Sequence, residues 1–200
     1  GGEQLLSTRS IVIATGARPF VPPLPGLADV GYLTSDTLWG LRELPARLVV
    51  LGGGPIGCEL AQAFARLGSE VTQVEMAPRI MLREDPEVSE LVTQGFRAEG
   101  IAVLVDHRAK DFIIDNGEKV LIAEHRGQDV RIPFDVVLVA VGVQPVLPGG
   151  SLKFELVKGY LQTNDRYQTS VPGIFAAGDI IGPPWLAHVA SYEAVQCVEG

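Results

Sequence analysis

The alternation of apolar and polar segments along the chain predicts an α/β protein. An apolar run at 48–51 ends at a cluster of glycines, and apolar positions then recur at helical spacing over 55–67 before a stop at Gly68. A second apolar run at 71–74 follows and ends at Glu75. This order predicts a βαβ unit within a buried parallel sheet. The apolar face of its helix is predicted to comprise Ile56, Leu60, Ala61, Phe64 and Leu67.

The segments that follow change from helix to hairpin. Asp85 and Pro86 predict the N-cap and first position of another helix, which ends at Gly100 and is followed by a strand at 101–105. Strands at 109–114 and 119–125 flank the tight-turn sequence Asp-Asn-Gly and predict an antiparallel hairpin. The apolar stripe of the helix is predicted to comprise Val88, Leu91, Val92 and Phe96.

The remaining predicted elements lie on either side of this region. Strands are predicted at 10–15, 135–141 and 174–177, and the last helix begins at 188 or 189. The segment 34–41 is predicted as a short helix capped by Ser35 or Asp36. The proline-rich stretch 19–25 excludes both a helix and a central strand, because proline lacks the N–H donor.

Composition excludes several classes of protein. The 200 residues include 46% hydrophobic and 20% charged residues, which is too apolar for a disordered chain. A formal net charge of −8 argues against a sequence-independent nucleic-acid binder. No apolar run reaches the length of a membrane span. Cys58 and Cys197 match neither a disulfide framework nor a zinc pattern, so we expect buried thiols in a reducing cytoplasm.

The two ends of the sequence suggest a piece of a longer protein. The chain begins with Gly1 and Gly2 rather than methionine, and it stops at Gly200 within a predicted helix. We therefore expect further segments on both sides.

The sharpest motif is Gly52-x-Gly54-x-x-Gly57, which has a strand before it and a helix after it. Gly52 would allow the tight turn, Gly54 would let a pyrophosphate approach the backbone, and Gly57 would let the helix pack closely on the sheet. The helix begins with Pro55 and Ile56, and its N-terminus would face the phosphates with free N–H groups and the positive end of its dipole. The motif predicts a dinucleotide site, and the alternative is an ordinary glycine-rich turn.

Glu75 lies at the end of the second strand, where its carboxylate can accept hydrogen bonds from an adenosine ribose. The same charge would repel a 2′-phosphate, which favours NAD over NADP. Arg79 argues for the reverse, although a solvated surface arginine is the simpler interpretation.

Two further turns are weaker signals. Thr15-Gly16 and Gly178-Asp179 each close an apolar run, and backbone could approach a ligand there. Asp179 could accept hydrogen bonds from a polyol or a ribose. A purely structural turn explains either pattern equally well.

Together these segments resemble the flavoprotein disulfide reductase family. The matching stretches are IVIATGARP at 11–19, LVVLGGGPIGCELAQAFARLGSEVTQVE at 48–75, DVVLVAVG at 135–142, TSVPGIFAAGDI at 169–180 and LAHVASYEA at 186–194. They follow the family order over nearly the whole chain.

The resemblance implies a Rossmann-like NAD-binding domain at 46–146 that contains an antiparallel hairpin or meander insertion. Parts of an FAD-binding domain, 1–45 and 147–200, would flank it. Thr15 and Gly16 would belong to the first FAD segment, Gly178 and Asp179 would lie near the ribityl–phosphate chain, and Ala187 near the flavin ring.

Two more residues of the NAD domain are assigned to the cofactor site. Glu59 would lie beside the flavin–nicotinamide contact, and its alternative role is to complement the helix dipole. Gly142, at the end of the strand at 135–141, is predicted to contact the nucleotide with Pro55 and Ile56. No catalytic or metal-ligating residue is assigned within the chain.

The implied activity is hydride transfer between NAD(H) and FAD, with onward reduction of a disulfide or a related small-molecule acceptor. The redox-active cysteine pair would precede Ser10, and the interface domain of a homodimeric parent would follow Gly200. The chain alone is therefore expected to bind NADH weakly, to be colourless, and not to reduce a disulfide. The alternatives are an NAD-binding module without chemistry and an NADH oxidase-type flavoprotein.

Overall fold

The computed structural model describes residues 7–199 and divides the chain into two compact units. One unit is Pro19–Gly142, and the other combines the residues up to Arg18 with those from Val143 onward. The strands are β1 Ile11–Ile13, β2 Ala17–Pro19, β3 Leu33–Thr34, β4 Arg47–Leu51, β5 Glu70–Val74, β6 Ala102–Leu104, β7 Arg108–Asp115, β8 Glu118–His125, β9 Gln128–Phe134, β10 Val136–Val139, β11 Val143–Pro145, β12 Leu156–Val157, β13 Tyr160–Leu161 and β14 Ile174–Ala176. The α-helices are α1 Leu27–Val30, α2 Pro55–Leu67, α3 Pro86–Ala98 and α4 Ala187–Glu199.

A parallel sheet forms the centre of the unit Pro19–Gly142. Its strand order is β3-β10-β4-β5-β6, and Leu48 of β4 lies between Val136 of β10 and Val71 of β5. The residues of β4 from Leu48 to Leu51 are all buried, as expected for a parallel strand that is covered on both faces. The predicted βαβ unit and the α/β fold class are therefore confirmed.

Helix α2 has the bounds that the sequence predicts, because Pro55 begins it and Gly68 ends it with φ +112. The predicted apolar face is partly wrong, since Ile56 and Leu67 are 41% and 68% exposed. Gly57 and Cys58 are buried instead, together with Ala61 and Phe64. In the first turn the reason is the close approach of Gly57 to the Gly52 carbonyl at the end of β4, which turns Gly57 rather than Ile56 inward.

Helix α3 also departs from the predicted apolar stripe. Val88 and Leu91 are exposed, whereas Ser89 and Thr93 are buried. The Ser89 hydroxyl donates to the Ile80 carbonyl at 2.6 Å, and the Thr93 hydroxyl donates to the Ser89 carbonyl at 2.7 Å. Both polar groups can be buried because each has a hydrogen-bond acceptor. Asp85 is the N-cap as predicted, without a side-chain capping bond.

Helices α2 and α3 pack on one face of the parallel sheet, and an antiparallel sheet of order β7-β8-β9 covers the opposite face. Its first turn is the predicted one, with φ +51 at Asn116 and +84 at Gly117. Strand β9 makes this sheet a three-stranded meander, the larger of the two predicted forms of the insertion. The rings of Phe112 and Phe134 meet edge to face at 5.8 Å in the core between the two sheets.

The predicted helix at 34–41 is wrong. Leu33 and Thr34 form the short edge strand β3, and only Leu38–Gly40 adopt a 3-10 turn, whose N-cap is Thr37 rather than Ser35 or Asp36. The Thr37 hydroxyl accepts the Thr34 N–H at 2.9 Å, and these side-chain contacts replace the amide-to-carbonyl pattern of an α-helix.

The other unit has a smaller core. β1 and β14 pair in parallel, with Ile13 opposite Ala176. The side chains buried with them include Leu161 and Ile180. Helix α4 begins at Ala187, close to the predicted start. Over the described residues, no helix is long and apolar enough to cross a membrane.

Both cysteines are buried. Cys58 lies in α2 and Cys197 in α4, and neither forms a disulfide within residues 7–199. Burial raises the pKa of each thiol. Both side chains are therefore packed thiols, as the sequence predicts.

A charged cluster at the amino end of β4 makes stability depend on pH. Arg47 donates to Asp135 at 2.8 Å and to Glu118 at 2.7 Å, and the guanidinium holds the pKa of the Asp135 carboxyl below its usual value. A lowered carboxyl pKa stabilises the fold above the unfolded-state value near 3.9, and this contribution is lost as pH falls through the lower folded-state value.

We expect Asp135→Asn to lower the free energy of unfolding at pH 7 by about 0.5–1 kcal/mol, because the ion pair is more than a third exposed. The deficit should shrink when urea unfolding is repeated at pH 3, because the unfolded-state carboxyl, with its ordinary pKa near 3.9, is then mostly protonated and folding must release that proton. Asp165→Asn, at an exposed position, is the matched control. A deficit of equal size at both pH values would contradict this electrostatic explanation.

Candidate nucleotide-binding site

A cleft of about 710 Å³ lies within the unit Pro19–Gly142, at the carboxyl end of the parallel sheet. The ends of β4, β5 and β6 line up there through backbone hydrogen bonds. The Gly52 N–H donates to Val74 at 2.9 Å, and the Glu75 N–H donates to Leu104 at 2.9 Å. Ligands of open parallel sheets bind at this edge. The lining residues include Gly52, Gly53, Gly54, Glu75, His107, Lys110 and Phe20.

The three motif glycines are required for two different reasons. A Cβ on Gly52, where φ is +106, would lie 2.3 Å from the Ala140 carbonyl oxygen, and a Cβ on Gly57 would lie 2.4 Å from the Gly52 carbonyl oxygen. These two positions are glycine because the backbone is close-packed. A Cβ on Gly54 would meet nothing within 4 Å. Packing within the chain therefore does not explain Gly54, and the space beside it is open to a ligand.

The start of α2 offers unsatisfied donors beside this open space. Gly54 is the N-cap residue and has no side-chain capping bond, and the first intrahelical bond joins the Cys58 N–H to the Gly54 carbonyl at 2.9 Å. The N–H groups of Ile56 and Gly57 belong to the first turn, which has no intrahelical acceptors for them. Together with the positive end of the helix dipole they suit an anion.

The Glu75 carboxylate is bound to the glycine-rich loop. One oxygen accepts the Gly53 N–H at 2.6 Å and the other accepts the Ala77 N–H at 2.7 Å. The Met81 N–H returns a bond to the Gly53 carbonyl at 2.6 Å, so the segment after β5 holds the loop from both sides. A carboxylate has about four lone-pair positions, and two of them are left for hydroxyl groups of a ligand.

The cationic side chains around the cleft already have partners. Lys110 and Arg108 line it, but Lys110 pairs with Asp129 at 2.6 Å and Arg108 pairs with Glu124 at 3.3 Å. Arg79 does not line the cleft, and its Nη2 donates to the Leu82 carbonyl at 3.0 Å. The cleft therefore offers a ribose a carboxylate, and its lining residues include no unpaired cation for a 2′-phosphate. The interpretation of Arg79 as a solvated surface side chain is wrong, because the residue is half-buried and its Nη1 is buried without a hydrogen-bond partner among the described residues.

Comparison with known proteins assigns the family. The model of the pyridine nucleotide-disulphide oxidoreductase family matches residues 1–194. The chain belongs to this family. Over 195 residues it is 38% identical to a mercuric reductase of Staphylococcus aureus, a match that covers 95% of this chain and 36% of the relative. It is 36% identical to a dihydrolipoyl dehydrogenase of Chlorobaculum tepidum, a match that covers 100% of this chain and 43% of the relative.

A solved structure supports the same assignment. The copper(II) complex of the HOCl-induced flavoprotein disulfide reductase RclA from Escherichia coli superimposes with a TM-score of 0.84 at 29% identity, covering 94% of this chain and 44% of that one. The chain thus has the fold of the pyridine nucleotide-disulphide oxidoreductases and spans less than half the length of the relatives it matches.

For a member of this family, the residues of the cleft fit NAD. The open space at Gly54, the free N–H groups of α2 and the remaining lone pairs of Glu75 correspond to the pyrophosphate and the ribose. Five of the predicted nucleotide-binding residues do not themselves line the cleft. These are Pro55, Ile56, Gly57, Glu59 and Gly142. Glu59 is exposed on α2, and Gly142, with φ +122, has open space around its Cα.

The buried Gln73 side chain beneath the glycine-rich loop was not predicted. Its Nε2 donates to the Gly52 carbonyl at 3.0 Å and contacts the Cys58 sulfur at 3.5 Å, and the residue is wholly buried. This amide fixes the carbonyl of the first motif glycine from below. The sequence shows Gln73 only as a polar residue in an apolar strand, a pattern that signals burial when both neighbouring strands are predicted.

His107, Lys110 and Phe20 were also missed as cleft residues. His107 lies between β6 and β7, and its N–H donates to the Glu75 carbonyl at 3.0 Å. The sequence predicts β5 and β6 as separate strands but not their pairing, and that pairing is what brings His107 to the cleft. Phe20 gives no signal of its own, since it lies outside the sheet and is bound to Gly142 through its backbone N–H.

The predicted FAD residues lie in the other unit. The Thr15 hydroxyl donates to the Val146 carbonyl at 2.6 Å, and Gly16 has φ +68 with open space around its Cα. Gly178 has φ +81, and its N–H donates to the Glu193 carboxylate of α4 at 2.8 Å. Asp179 begins a 3-10 turn, and no side chain or backbone group within 7–199 donates to its carboxylate.

These groups fit a flavin nucleotide in part. Gly16 and Gly178 are turns of positive φ at the carboxyl ends of the paired strands β1 and β14, and Asp179 keeps its acceptor oxygens for hydroxyl groups. Ala187 is the first residue of α4. Backbone near that helix start could approach a ring, as the sequence resemblance implies.

Proposed function

We propose that this chain provides the nicotinamide nucleotide site, and part of the flavin site, of an oxidoreductase that transfers a hydride between NAD(H) and FAD. A disulfide or a related small molecule would be the onward acceptor. The observation that carries this proposal is Gly54, a loop glycine that the packing of the chain does not require and that faces a cleft with free helix donors and a carboxylate. Family membership supports the flavin partner.

The proposed cofactor residues are those predicted from the sequence. The nucleotide would be held by Gly52, Gly54, Pro55, Ile56, Gly57, Glu59, Glu75 and Gly142, and the flavin by Thr15, Gly16, Gly178, Asp179 and Ala187. The corresponding domains would be 46–146 for NAD and the flanking 1–45 and 147–200 for FAD.

The chain's own residues would bind and orient the reactants. The first turn of α2 would offset the charge of the pyrophosphate, and Glu75 would accept the ribose hydroxyls and hold the dinucleotide extended along the sheet edge. The flavin and nicotinamide rings supply the hydride chemistry when bound. This chain would therefore position the cofactors, and none of its residues is assigned as a catalytic acid or base.

The proposal also covers the cellular location, the partners and the oligomeric state of the full-length protein. Two buried thiols support a reducing cytoplasmic location, and the net charge of −8 supports the absence of nucleic-acid partners. No membrane partner is proposed, and the family resemblance supports a homodimeric parent.

Nucleotide preference tests this proposal. We expect the chain to bind NADH at least tenfold more tightly than NADPH, because Glu75 would repel the 2′-phosphate and bond the unmodified ribose. Glu75→Gln should weaken NADH binding by about tenfold, in line with about 1.5 kcal/mol for a hydrogen bond to a charged group. The dissociation constants for NADH and NADPH should also become more similar than they are in the wild type. Fluorescence titration of both nucleotides would measure the two dissociation constants.

Glu70→Gln is the matched control, since Glu70 is exposed at the opposite end of the same strand. It removes the same charge and should leave both dissociation constants unchanged. The absence of NADH binding by the wild-type chain, or an equal loss in both variants, would contradict the proposed site.

A further inference from the structure

Two stacked histidines form part of the wall of the unit Pro19–Gly142. The rings of His107 and His125 lie 4.1 Å apart, with 12° between their planes. His107 lines the cleft, whereas His125, at the end of β8, is not among the lining residues. His125 therefore covers one ring face of His107 and is not itself part of the cleft lining.

Hydrogen bonds fix both rings. Nδ1 of His107 lies 2.6 Å from the Val105 carbonyl oxygen, and Nδ1 of His125 lies 3.1 Å from the Asp106 carbonyl oxygen. A carbonyl oxygen only accepts, so both Nδ1 atoms carry the proton. One edge of the His107 ring is thereby used, and its rotation is restricted. The uncovered face and the Nε2 edge remain for a ligand.

The strand order places His107 next after Glu75 along the carboxyl edge of the sheet. β4 ends at the glycine-rich loop, β5 ends at Glu75, and the segment after β6 carries His107. The backbone bond from the His107 N–H to the Glu75 carbonyl makes these last two residues direct neighbours. A dinucleotide with its pyrophosphate at the loop and a ribose at Glu75 would extend its base toward His107.

We propose that His107 is the stacking platform for the base of the bound dinucleotide and that His125 holds this platform in place. This inference rests on the proposed function, because it assumes the nucleotide orientation given above. Base–aromatic stacking is a main source of affinity in single-strand binding proteins and tolerates changes of the base, since every base has a π-face. A ring already fixed by His125 and Val105 loses little freedom on binding.

The neighbouring charges agree with recognition through a ring face. Arg108 and Lys110, the next cleft residues on β7, are paired with Glu124 and Asp129. A neutral purine therefore meets an aromatic surface at this wall instead of unpaired cations. The inference assigns His107 a positioning and recognition role and no part in the hydride step.

The test compares two replacements of similar bulk, His107→Leu and His107→Phe, in the full chain. NADH and its hypoxanthine analogue, which lacks the exocyclic amine, are titrated into the wild type and both variants by fluorescence. We expect His107→Leu to weaken both ligands by about tenfold, because it removes the π-face. His107→Phe restores a ring and should bind both within about threefold of the wild type. Melting temperatures of both variants show whether they remain folded.

The outcomes separate this inference from the function on which it rests. If the wild type binds NADH and His107→Leu binds it equally well, the stacking role is wrong and the proposed function stands. A His107→Phe variant as weak as His107→Leu, or a loss confined to NADH, would also overturn the stacking role, since either result indicates an edge hydrogen bond. A wild type that binds neither ligand contradicts the proposed function itself.

Discussion

Replacing Gly54 by alanine is expected to weaken NADH binding more than tenfold while the melting temperature changes by no more than about 2 °C. The backbone at Gly54 has φ −77, which any residue adopts, and an added Cβ would meet nothing within 4 Å. The fold therefore tolerates the methyl group. The same methyl group would occupy the cleft at the start of α2, where the pyrophosphate of the proposed ligand must approach the backbone.

Gly95→Ala provides the matched control for this prediction. Gly95 lies within α3, and a Cβ there would also meet nothing within 4 Å. This variant should keep the NADH affinity of the wild type and gain about 0.5–1 kcal/mol of stability from the better helix propensity of alanine. Calorimetry would give both quantities for each variant. A Gly54→Ala chain that binds NADH like the wild type would contradict a phosphate site at this loop.

Gly52→Ala should have the opposite profile and destabilise the fold by about 3–5 kcal/mol. Two costs combine at this position. The backbone φ of +106 is strained for alanine, which costs about 1–3 kcal/mol. The Cβ would also lie 2.3 Å from the Ala140 oxygen, and that backbone is fixed because the Ala140 N–H bonds to Leu51 at 2.8 Å. Overpacking of this kind costs a further 1–3 kcal/mol or so.

Gly117→Ala separates the two costs. Gly117 has φ +84 at the β7–β8 turn, but a Cβ there would have open space around it. Its loss of stability should reflect backbone strain alone and amount to about 1–2 kcal/mol. Urea unfolding of the two variants gives the comparison. If Gly52→Ala costs no more than Gly117→Ala, the close contact with the Ala140 carbonyl is not a determinant of stability.

The sequence predicted best where a local rule is sufficient. Pro55 and Gly68 define both ends of α2, because proline suits the first position of a helix and glycine adopts the positive φ after its end. The hairpin around Asn116 and Gly117 follows from the same kind of local chemistry. Residues that lie in sequence at the ends of consecutive strands, such as Gly54 and Glu75, could be predicted to meet because parallel strands share an edge.

The sequence predicted poorly where tertiary contacts decide the outcome. Ser89 is buried because the Ile80 carbonyl, on a separate loop, accepts its proton. The sequence left a hairpin or a meander open and gave no bounds for a third strand, and β9 is the edge strand of its sheet with Pro133 exposed, a position where proline is tolerated. The place of His107 in the cleft depends on the packing of β6 beside β5, which no local pattern specifies.

The two bonds that the Glu75 carboxylate accepts from Gly53 and Ala77 bear on the redesign of nucleotide preference. Replacing Glu75 with a small or basic side chain to admit a 2′-phosphate would also leave two loop amides without their acceptor. The replacement would then destabilise the glycine-rich loop, where the pyrophosphate is proposed to bind. A variant that prefers NADP over NAD thus requires a substitution at Glu75 together with substitutions in the segment from Ala77 to Met81. A library that varies Glu75 alone would not contain such a variant.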